Sequence, residues 1–295
     1  LEIMIANEAG IKADIDTEFL HDYRIAIRKT RAALSQLGAV LPNEITSCFK
    51  KDFAYIGKQT NELRDLDVYL LSEEKYRAML PDDMRRDIDP LFAKMKLLRR
   101  DAFVDVIRRI ESPEYTAIFD GWREFLDTPG ESADPDLPAG LAVIELARGR
   151  IFKRYRKIVK DGYSIIKHTD DARLHELRIE CKKLRYLIEF FASLFPRKKI
   201  RRLLKQLKAL QDNLGDFNDL EVQQAYLLGI AHQLPVEEER ARLALIATGY
   251  LVDNLEHRRL VAKGKFSQTF TDFTVPENQK LYYELFKANR KGKSR

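Results

Sequence analysis

Apolar residues recur at helical spacing along most of the chain. Leu20, Tyr23 and Ile27 fall on one face of a predicted helix, and Leu174 and Leu177 begin the same pattern later in the sequence. No segment alternates apolar and polar residues as a half-buried strand does, so the predicted fold class is all-α. The periodicity predicts helices near residues 17–38, 43–60, 65–72, 82–111, 113–127, 140–167, 171–194, 197–214, 217–233, 236–262 and 277–288.

Part of the sequence occurs twice, at an offset of 154 residues. LHDYRIAIRKTR at 20–31 is matched by LHELRIECKKLR at 174–185, and 11 of the 49 paired positions from residue 20 to residue 68 are identical. Internal repetition predicts a fold assembled twice from one unit. The segment from Thr128 to Gly140, rich in Pro and Gly, is the predicted link. The predicted division is a first helical repeat at 1–135, a second at 136–290 and a basic disordered tail at 291–295.

The best-conserved part of the repeat is a line of cations. Their spacing of i, i+3, i+7 and i+10 places them in a stripe about 80° wide on a helix. We define the first stripe as His21, Arg24, Arg28 and Arg31, with Lys29 at its flank. We define the second stripe as His175, Arg178, Lys182 and Arg185, with Lys183 at its flank. Neither stripe contains an acidic residue, and like charges this close repel one another, so the pattern predicts an anionic ligand.

The turn after the second helix of each repeat has its own signals. Gly215, and Asn61 at the matching position, suit the left-handed conformation that ends many helices, so a helix end is predicted there. Asp65 and Asp219 follow at matching positions, and helix capping is the favoured interpretation of both. The alternative is that each aspartate holds a stripe cation through a salt bridge.

Charge is unevenly distributed along the chain. Residues 1–150 contain 22 Lys and Arg against 28 Asp and Glu, whereas residues 151–295 contain 30 against 18. The second part is therefore expected to attract anions more strongly. The cysteines Cys48 and Cys181 do not occupy matching positions, which weakly favours a reducing, cytoplasmic location. No apolar run is long enough for a membrane span.

Two other functions are compatible with a basic helical surface. A nucleic-acid binder would use the same phosphate contacts, but the stripes carry almost no aromatic residues for base stacking. A histidine phosphotransfer protein is less favoured, because such proteins normally have one site with a small residue at i+4, where this chain has Ile25 and Ile179. The five histidines lack paired metal-ligand spacing and no catalytic motif is present, so a non-enzymatic protein without metal or cofactor is predicted.

These motifs resemble those of the conserved histidine α-helical domain, or CHAD, family. The family pattern is H-x-x-R-[VI]-x-x-[RK]-[RK]-x-R, followed about 40 residues later by R-D-x-D-V or L-G-x-x-N-D. This chain has HDYRIAIRKTR followed by LRDLDV, and HELRIECKKLR followed by LGDFNDLEV. The resemblance implies two four-helix-bundle repeats related by a pseudo-twofold axis, with a basic groove between them that binds inorganic polyphosphate. It also implies a binding role, with targeting to polyphosphate granules as one use, and leaves protein partners open.

The resemblance further implies which residues contact the ligand. The ten residues of the two stripes are the main candidates. The matched pair Lys51 and Lys205 on the following helices is secondary. Further candidates are Lys208, Arg202, Arg150 and Arg154.

Overall fold

The structure, a computed structural model, describes residues 1–37, 43–128, 141–167 and 170–287. Within these ranges the chain is all-α, with twelve α-helices, a 3₁₀ turn at Ala192–Leu194 and no strand, which confirms the predicted fold class. The helices are α1 (Glu2–Lys12), α2 (Thr17–Leu37), α3 (Asn43–Gln59), α4 (Asn61–Leu71), α5 (Glu73–Arg77), α6 (Asp89–Ile110), α7 (Pro113–Asp127), α8 (Leu141–Lys167), α9 (Asp171–Phe190), α10 (Arg197–Ala231), α11 (Glu239–Phe273) and α12 (Pro276–Phe286). The predicted tail and nearly all of the predicted link lie outside the described residues.

The helices that carry the two stripes, α2 and α9, begin in the same way. Oδ1 of Asp16 accepts a hydrogen bond from the backbone nitrogen of Glu18 at 2.9 Å. Oδ1 of Asp170 accepts one from the backbone nitrogen of Ala172 at 3.1 Å. Each carboxylate pairs a backbone N–H that the first turn of a helix leaves unsatisfied. Asp16 and Asp170 are themselves 154 residues apart, so the matching positions extend to the start signal of the helix.

The described residues form two compact units. Unit 1 comprises those within 1–134 and 227–252. In this unit α2 packs against α1 and α3, α4 packs against α6, and α7 packs against α3. The ring of Phe53 on α3 lies 5.4 Å from that of Trp122 on α7, centroid to centroid, and both side chains are buried. Tyr23 on α2 is fully buried in the same unit, which leaves the opposite face of α2 exposed.

Unit 2 comprises the described residues within 135–226 and 253–295. Here α8 packs against α9 and α12. One buried cluster draws side chains from five helices, and it includes Ile151, Cys181, Leu207, Phe270 and Tyr282. Because Cys181 and its apolar neighbours on α9 enter this cluster, the stripe on α9 is on the outward face of the unit.

The compact units and the predicted repeats are different divisions of the chain. Helix α10 contributes residues up to Tyr226 to unit 2 and residues from Leu227 to unit 1. Helix α11 contributes residues up to Val252 to unit 1 and residues from Asp253 to unit 2. The repeats at 1–135 and 136–290 rest on sequence similarity, and they remain a prediction, as does the pseudo-twofold axis.

The helix end predicted at Gly215 is wrong. Helix α10 runs unbroken from Arg197 to Ala231, and the described residues contain no glycine with positive φ. Leu214 and Phe217, on either side of this glycine, are buried, so packing holds the segment helical. In the first copy α3 ends at Gln59 and α4 begins at Asn61, but Asn61 is not in the left-handed region either.

Other boundaries also differ from prediction. Helix α1 was not predicted, because its polar and apolar residues are poorly segregated, yet Met4 and Ile11 are buried. Helix α11 ends at Phe273 rather than near residue 262, because Phe266 and Phe270 extend its buried face. Helix α6 begins at Asp89 rather than near residue 82, and a proline occupies its first turn.

Candidate polyanion-binding surface

The first stripe lies on the exposed face of α2. Burial of Tyr23 fixes the rotation of the helix, and Arg28, Lys29 and Arg31 are exposed as a result. None of these three forms an ion pair with an acidic residue in the described part of the chain. His21 is half-buried beside them, and its ring has no hydrogen-bond partner in those ranges either. This surface therefore holds positive charge that no carboxylate of the described chain neutralises by direct contact.

Arg24 differs from its neighbours because it supports the fold. Its Nη1 donates to the carbonyl oxygen of Gly57 at 2.9 Å and to Oγ1 of Thr60 at 2.6 Å, and its Nη2 donates to Oδ1 of Asn61 at 2.8 Å. The Gly57 carbonyl lacks an intrahelical partner because α3 ends at Gln59. Burial lowers the pKa of the Arg24 guanidinium. The side chain thus joins α2 to the α3–α4 junction and is already hydrogen-bonded before any ligand arrives.

The two aspartates predicted as caps have other roles. Asp219 lies inside α10 and Asp65 lies beyond the first turn of α4, so neither caps a helix. Oδ1 of Asp219 accepts a hydrogen bond from Nη2 of Arg178 at 2.8 Å, which confirms the salt-bridge alternative for this residue. Burial raises the pKa of Asp65, and the nearby charges of Arg24 and Arg64 only partly offset this effect.

The second stripe, on α9, is paired with carboxylates. Nζ of Lys183 donates to Oε1 of Glu180 at 3.1 Å, and Nε of Arg185 donates to Oε1 of Glu189 at 2.7 Å. Lys182 is exposed and also has an interaction within the described residues. Together with the salt bridge that Arg178 forms with Asp219, these contacts leave the second stripe with far less unpaired charge than the first.

His175 is held by an amide. Its Nδ1 donates to Oδ1 of Asn218, because an amide oxygen can only accept, and Nδ2 of Asn218 donates to Oδ1 of Asp219 at 3.3 Å. The neutral ring therefore carries its proton on Nδ1 and presents Nε2 as an acceptor. A hydrogen bond from Nε2 to a phosphate oxygen would require the doubly protonated ring.

Glu180 links α8 to α9 beneath the second stripe. Its carboxylate accepts hydrogen bonds from Arg154 on α8 and from Lys183, and its side chain is only 10% exposed. Burial acts to raise the pKa of Glu180, but the two cations outweigh burial and the pKa is lowered. Arg154, a further candidate ligand, is thus committed to this carboxylate.

The remaining candidates fall into two groups. Lys51 on α3, and Arg202 and Lys205 on α10, are exposed and have no ion-pair partner in the described ranges. Lys208 is paired, since its Nζ lies 2.6 Å from Oδ2 of Asp212, and Arg150 has an interaction within the described chain. Among the further candidates, Arg154 is the one that contacts within unit 2 connect with the second stripe. The groove between the repeats remains a prediction.

Other kinds of site find little support in the described residues. No cluster of His, Cys, Asp and Glu in these ranges has the arrangement of a metal site. His232 and His257 are exposed, and His168 lies outside the described residues. No described helix combines the length and the apolar character that crossing a bilayer requires.

Of the three carboxylates that pair with the second stripe, the sequence offered Asp219 as a candidate but did not predict Glu180 or Glu189. At the 154-residue offset, Glu180 is matched by Ala26 and Glu189 by Ser35. Comparing the acidic positions of the two copies would have identified this difference, whereas comparing their basic positions shows only similarity.

Comparisons with known proteins agree with the architecture. The profile of the CHAD domain matches residues 1–228. The crystal structure of the CHAD domain from the plant Ricinus communis is 25% identical with a TM-score of 0.70, and the alignment covers 92% of this chain and 87% of that one. PptA from Streptomyces chartreusis is 16% identical with a TM-score of 0.59, covering 91% and 96% respectively, which is a likeness of fold. No curated protein shows significant sequence similarity to the chain.

Proposed function

The chain belongs to the CHAD domain family, and from this premise we propose that it binds inorganic polyphosphate through its two stripes without catalysing a reaction. CHAD domains are known polyphosphate binders. The observation that carries the proposal for this chain is the exposed, acid-free first stripe, in which Arg28, Lys29 and Arg31 have no carboxylate partner in the described part of the chain. These neighbouring cations repel one another, and a bound polyanion would relieve that repulsion.

The chemistry of the side chains fits a linear phosphate polymer. Arg presents a planar fork of donors to phosphate oxygens, and Lys adds a compact charge. A chain with one negative charge per phosphoryl unit suits cations that recur at about one helical turn, or 5.4 Å. A neutral His21 ring would donate one hydrogen bond to a phosphate oxygen, whereas His175, whose Nδ1 proton is already bonded to Asn218, would contact phosphate only in its doubly protonated form.

We propose that the chain forms two four-helix-bundle repeats related by a pseudo-twofold axis, with a basic groove between them. Binding would serve, as one use, to target the protein to polyphosphate granules. Matched helix starts support the repeat arrangement. Helices α2 and α9 begin 154 residues apart, and so do α3 and α10. The likeness of fold to the Ricinus communis domain supports it further.

Fluorescence anisotropy with end-labelled long-chain polyphosphate and with single-stranded RNA of equal total charge tests the proposal. The wild type is compared at several salt concentrations with a quadruple variant that removes two matched cations from each stripe. This variant is Lys29→Gln/Arg31→Gln/Lys183→Gln/Arg185→Gln. A control variant removes four exposed cations that lie outside the candidate set and whose side chains make no hydrogen bond or ion pair in the described ranges. The control is Arg86→Gln/Arg100→Gln/Arg240→Gln/Lys280→Gln.

We expect the wild type to bind polyphosphate more tightly than RNA and the quadruple variant to lose most of this binding. The control variant, with the same loss of net charge, should retain it. Equal and steeply salt-dependent binding of both polymers would instead identify a general phosphate-backbone surface, as in the nucleic-acid alternative. Equal losses in the two variants would show that net charge, rather than the stripes, determines affinity.

A further inference from the structure

The two stripes match in sequence but differ in the charges around them. The pairs Lys29 and Lys183, and Arg31 and Arg185, are identical residues at the 154-residue offset. Lys183 and Arg185 each contact a carboxylate, whereas Lys29 and Arg31 contact none in the described ranges. Two chemically identical cation pairs are thus placed in opposite electrostatic settings.

We propose that the first stripe makes the primary phosphate contacts and that Glu180, Glu189 and Asp219 hold the second stripe as a weaker, secondary surface. This inference rests on the proposed function and specifies which part of the surface carries it. A carboxylate bound to a stripe cation occupies the donors that a phosphate oxygen would use. A phosphate at the second stripe must therefore displace or share an internal anion, and a phosphate at the first stripe need not.

The paired carboxylates are held to different degrees. Glu189 is an exposed i, i+4 partner of Arg185, and a contact of this kind is weak and readily exchanged. Glu180 is nearly buried and shared between Arg154 and Lys183, so it remains in place when one partner leaves. Asp219 is more than half exposed, but it contacts Arg178, whose side chain is only 15% exposed.

Net charge argues in the opposite direction, which makes the proposal testable. Residues 151–295 carry the excess of positive charge and residues 1–150 carry the excess of negative charge. Charges separated by more than about 8 Å are largely screened at physiological ionic strength. Long-range attraction thus favours the second part of the chain, whereas direct contact favours the first stripe.

Separating the quadruple variant into its two halves decides between these effects. Lys29→Gln/Arg31→Gln and Lys183→Gln/Arg185→Gln make the same chemical change and lose the same charge. We expect the first double variant to weaken polyphosphate binding by about tenfold or more and the second by about threefold or less, at ionic strength near 0.15 M where distant charges are screened. Urea unfolding of both variants establishes that each is folded as the wild type is.

Exchanging the carboxylate between the stripes gives a second, independent measurement. Ser35→Glu places a carboxylate four residues after Arg31, as Glu189 is placed after Arg185, and Glu189→Ser removes that carboxylate. We expect Ser35→Glu to weaken binding by up to about fivefold and Glu189→Ser to strengthen it, in keeping with the strength of an exposed ion pair. Ala117→Glu, exposed on α7 of the same unit, controls for added negative charge and should change binding little.

The outcomes separate this inference from the function on which it rests. Equal losses in the two double variants, or a larger loss in Lys183→Gln/Arg185→Gln, would overturn the inference while polyphosphate binding by the wild type stood. An effect of Ala117→Glu as large as that of Ser35→Glu would overturn it as well. A wild type that fails to bind polyphosphate would overturn both.

Discussion

Arg24 lies within the first stripe, but its three hydrogen bonds serve the fold. Replacing it with Lys keeps the charge and removes the fork that reaches Gly57, Thr60 and Asn61 at once. We expect Arg24→Lys to lower the free energy of unfolding by about 1–2 kcal/mol, because hydrogen bonds from a charged donor are lost. Arg28→Lys, at an exposed position of the same stripe, should change it by less than about 0.5 kcal/mol. Urea unfolding of the two variants measures the difference, and equal effects would contradict the supporting role.

Asp171, in the first turn of α9, gives a pH-dependent contribution to stability. Hydrogen bonds from Lys263 at 2.6 Å and from Arg259 at 2.7 Å lower the pKa of its carboxyl group below the ordinary 3.8, despite partial burial. A lowered folded-state pKa stabilises the fold above the ordinary value, and the stabilisation is lost as pH falls through the folded-state pKa.

We therefore expect Asp171→Asn to be less stable than the wild type by the same amount at pH 7 and pH 5.5, and by less as pH falls below 3.8. Urea unfolding at each pH measures the difference. Asp253→Asn serves as the control, because Asp253 is exposed in unit 2 and has no ion pair within the described part of the chain. A difference that grew as the solution became more acidic would contradict the assigned role of Asp171.

At the level of residues, the sequence predicted which cations share a helical face but not which of them are neutralised. Spacing alone determines the face, because the helix has 3.6 residues per turn. Lys183 and Arg185 pair locally on α9, but Arg178 and Arg24 depend on groups that the fold brings in from elsewhere. Asp219 reaches Arg178 from α10, and the end of α3 offers Arg24 the carbonyl of Gly57. Neither contact follows from the local pattern around the cation.

The unbroken helix α10 shows how tertiary packing overrides a local signal. Gly215 is a typical helix-ending residue, yet buried Leu214 and Phe217 keep the segment in one helix. Periodicity predicted most of the other helices because their apolar faces are continuous. It failed at α1, where apolar residues lie on several sides of the helix: Met4 and Ile11 are buried, whereas Ile3 and Ile5 are exposed. The sequence therefore predicts elements well where burial and propensity agree.

Two glycines in helix interiors should respond oppositely to the same substitution. A Cβ at Gly215 would meet no atom within 4 Å, so Gly215→Ala should stabilise the protein by about 0.5–1 kcal/mol through helix propensity. A Cβ at Gly162 would lie 1.9 Å from the ring of buried Phe270, so Gly162→Ala should destabilise it by about 1–3 kcal/mol. Urea unfolding distinguishes them, and a destabilising Gly215→Ala would indicate that α10 is broken at this residue.

For the whole molecule, an anion that neutralises a stripe should act as a stabilising ligand. A ligand that binds only the folded state at 100 times its Kd adds about 2.7 kcal/mol to the free energy of unfolding. Trp122 is the only tryptophan of the chain, and it is buried in unit 1 against Phe53. Its fluorescence therefore reports the unfolding of the unit that carries the first stripe.

We expect long-chain polyphosphate to move the Trp122-detected urea midpoint of the wild type to higher urea, in a saturable way. Orthophosphate at equal phosphorus content and ionic strength should move it much less, because single ions cannot contact several cations along a helix at once. Lys29→Gln/Arg31→Gln should abolish most of the polyphosphate shift, because it removes unpaired cations from the same unit as the fluorophore. An undiminished shift in that variant would mean that unit 1 is stabilised through contacts other than the first stripe, and equal shifts with orthophosphate would indicate general screening of its positive charges.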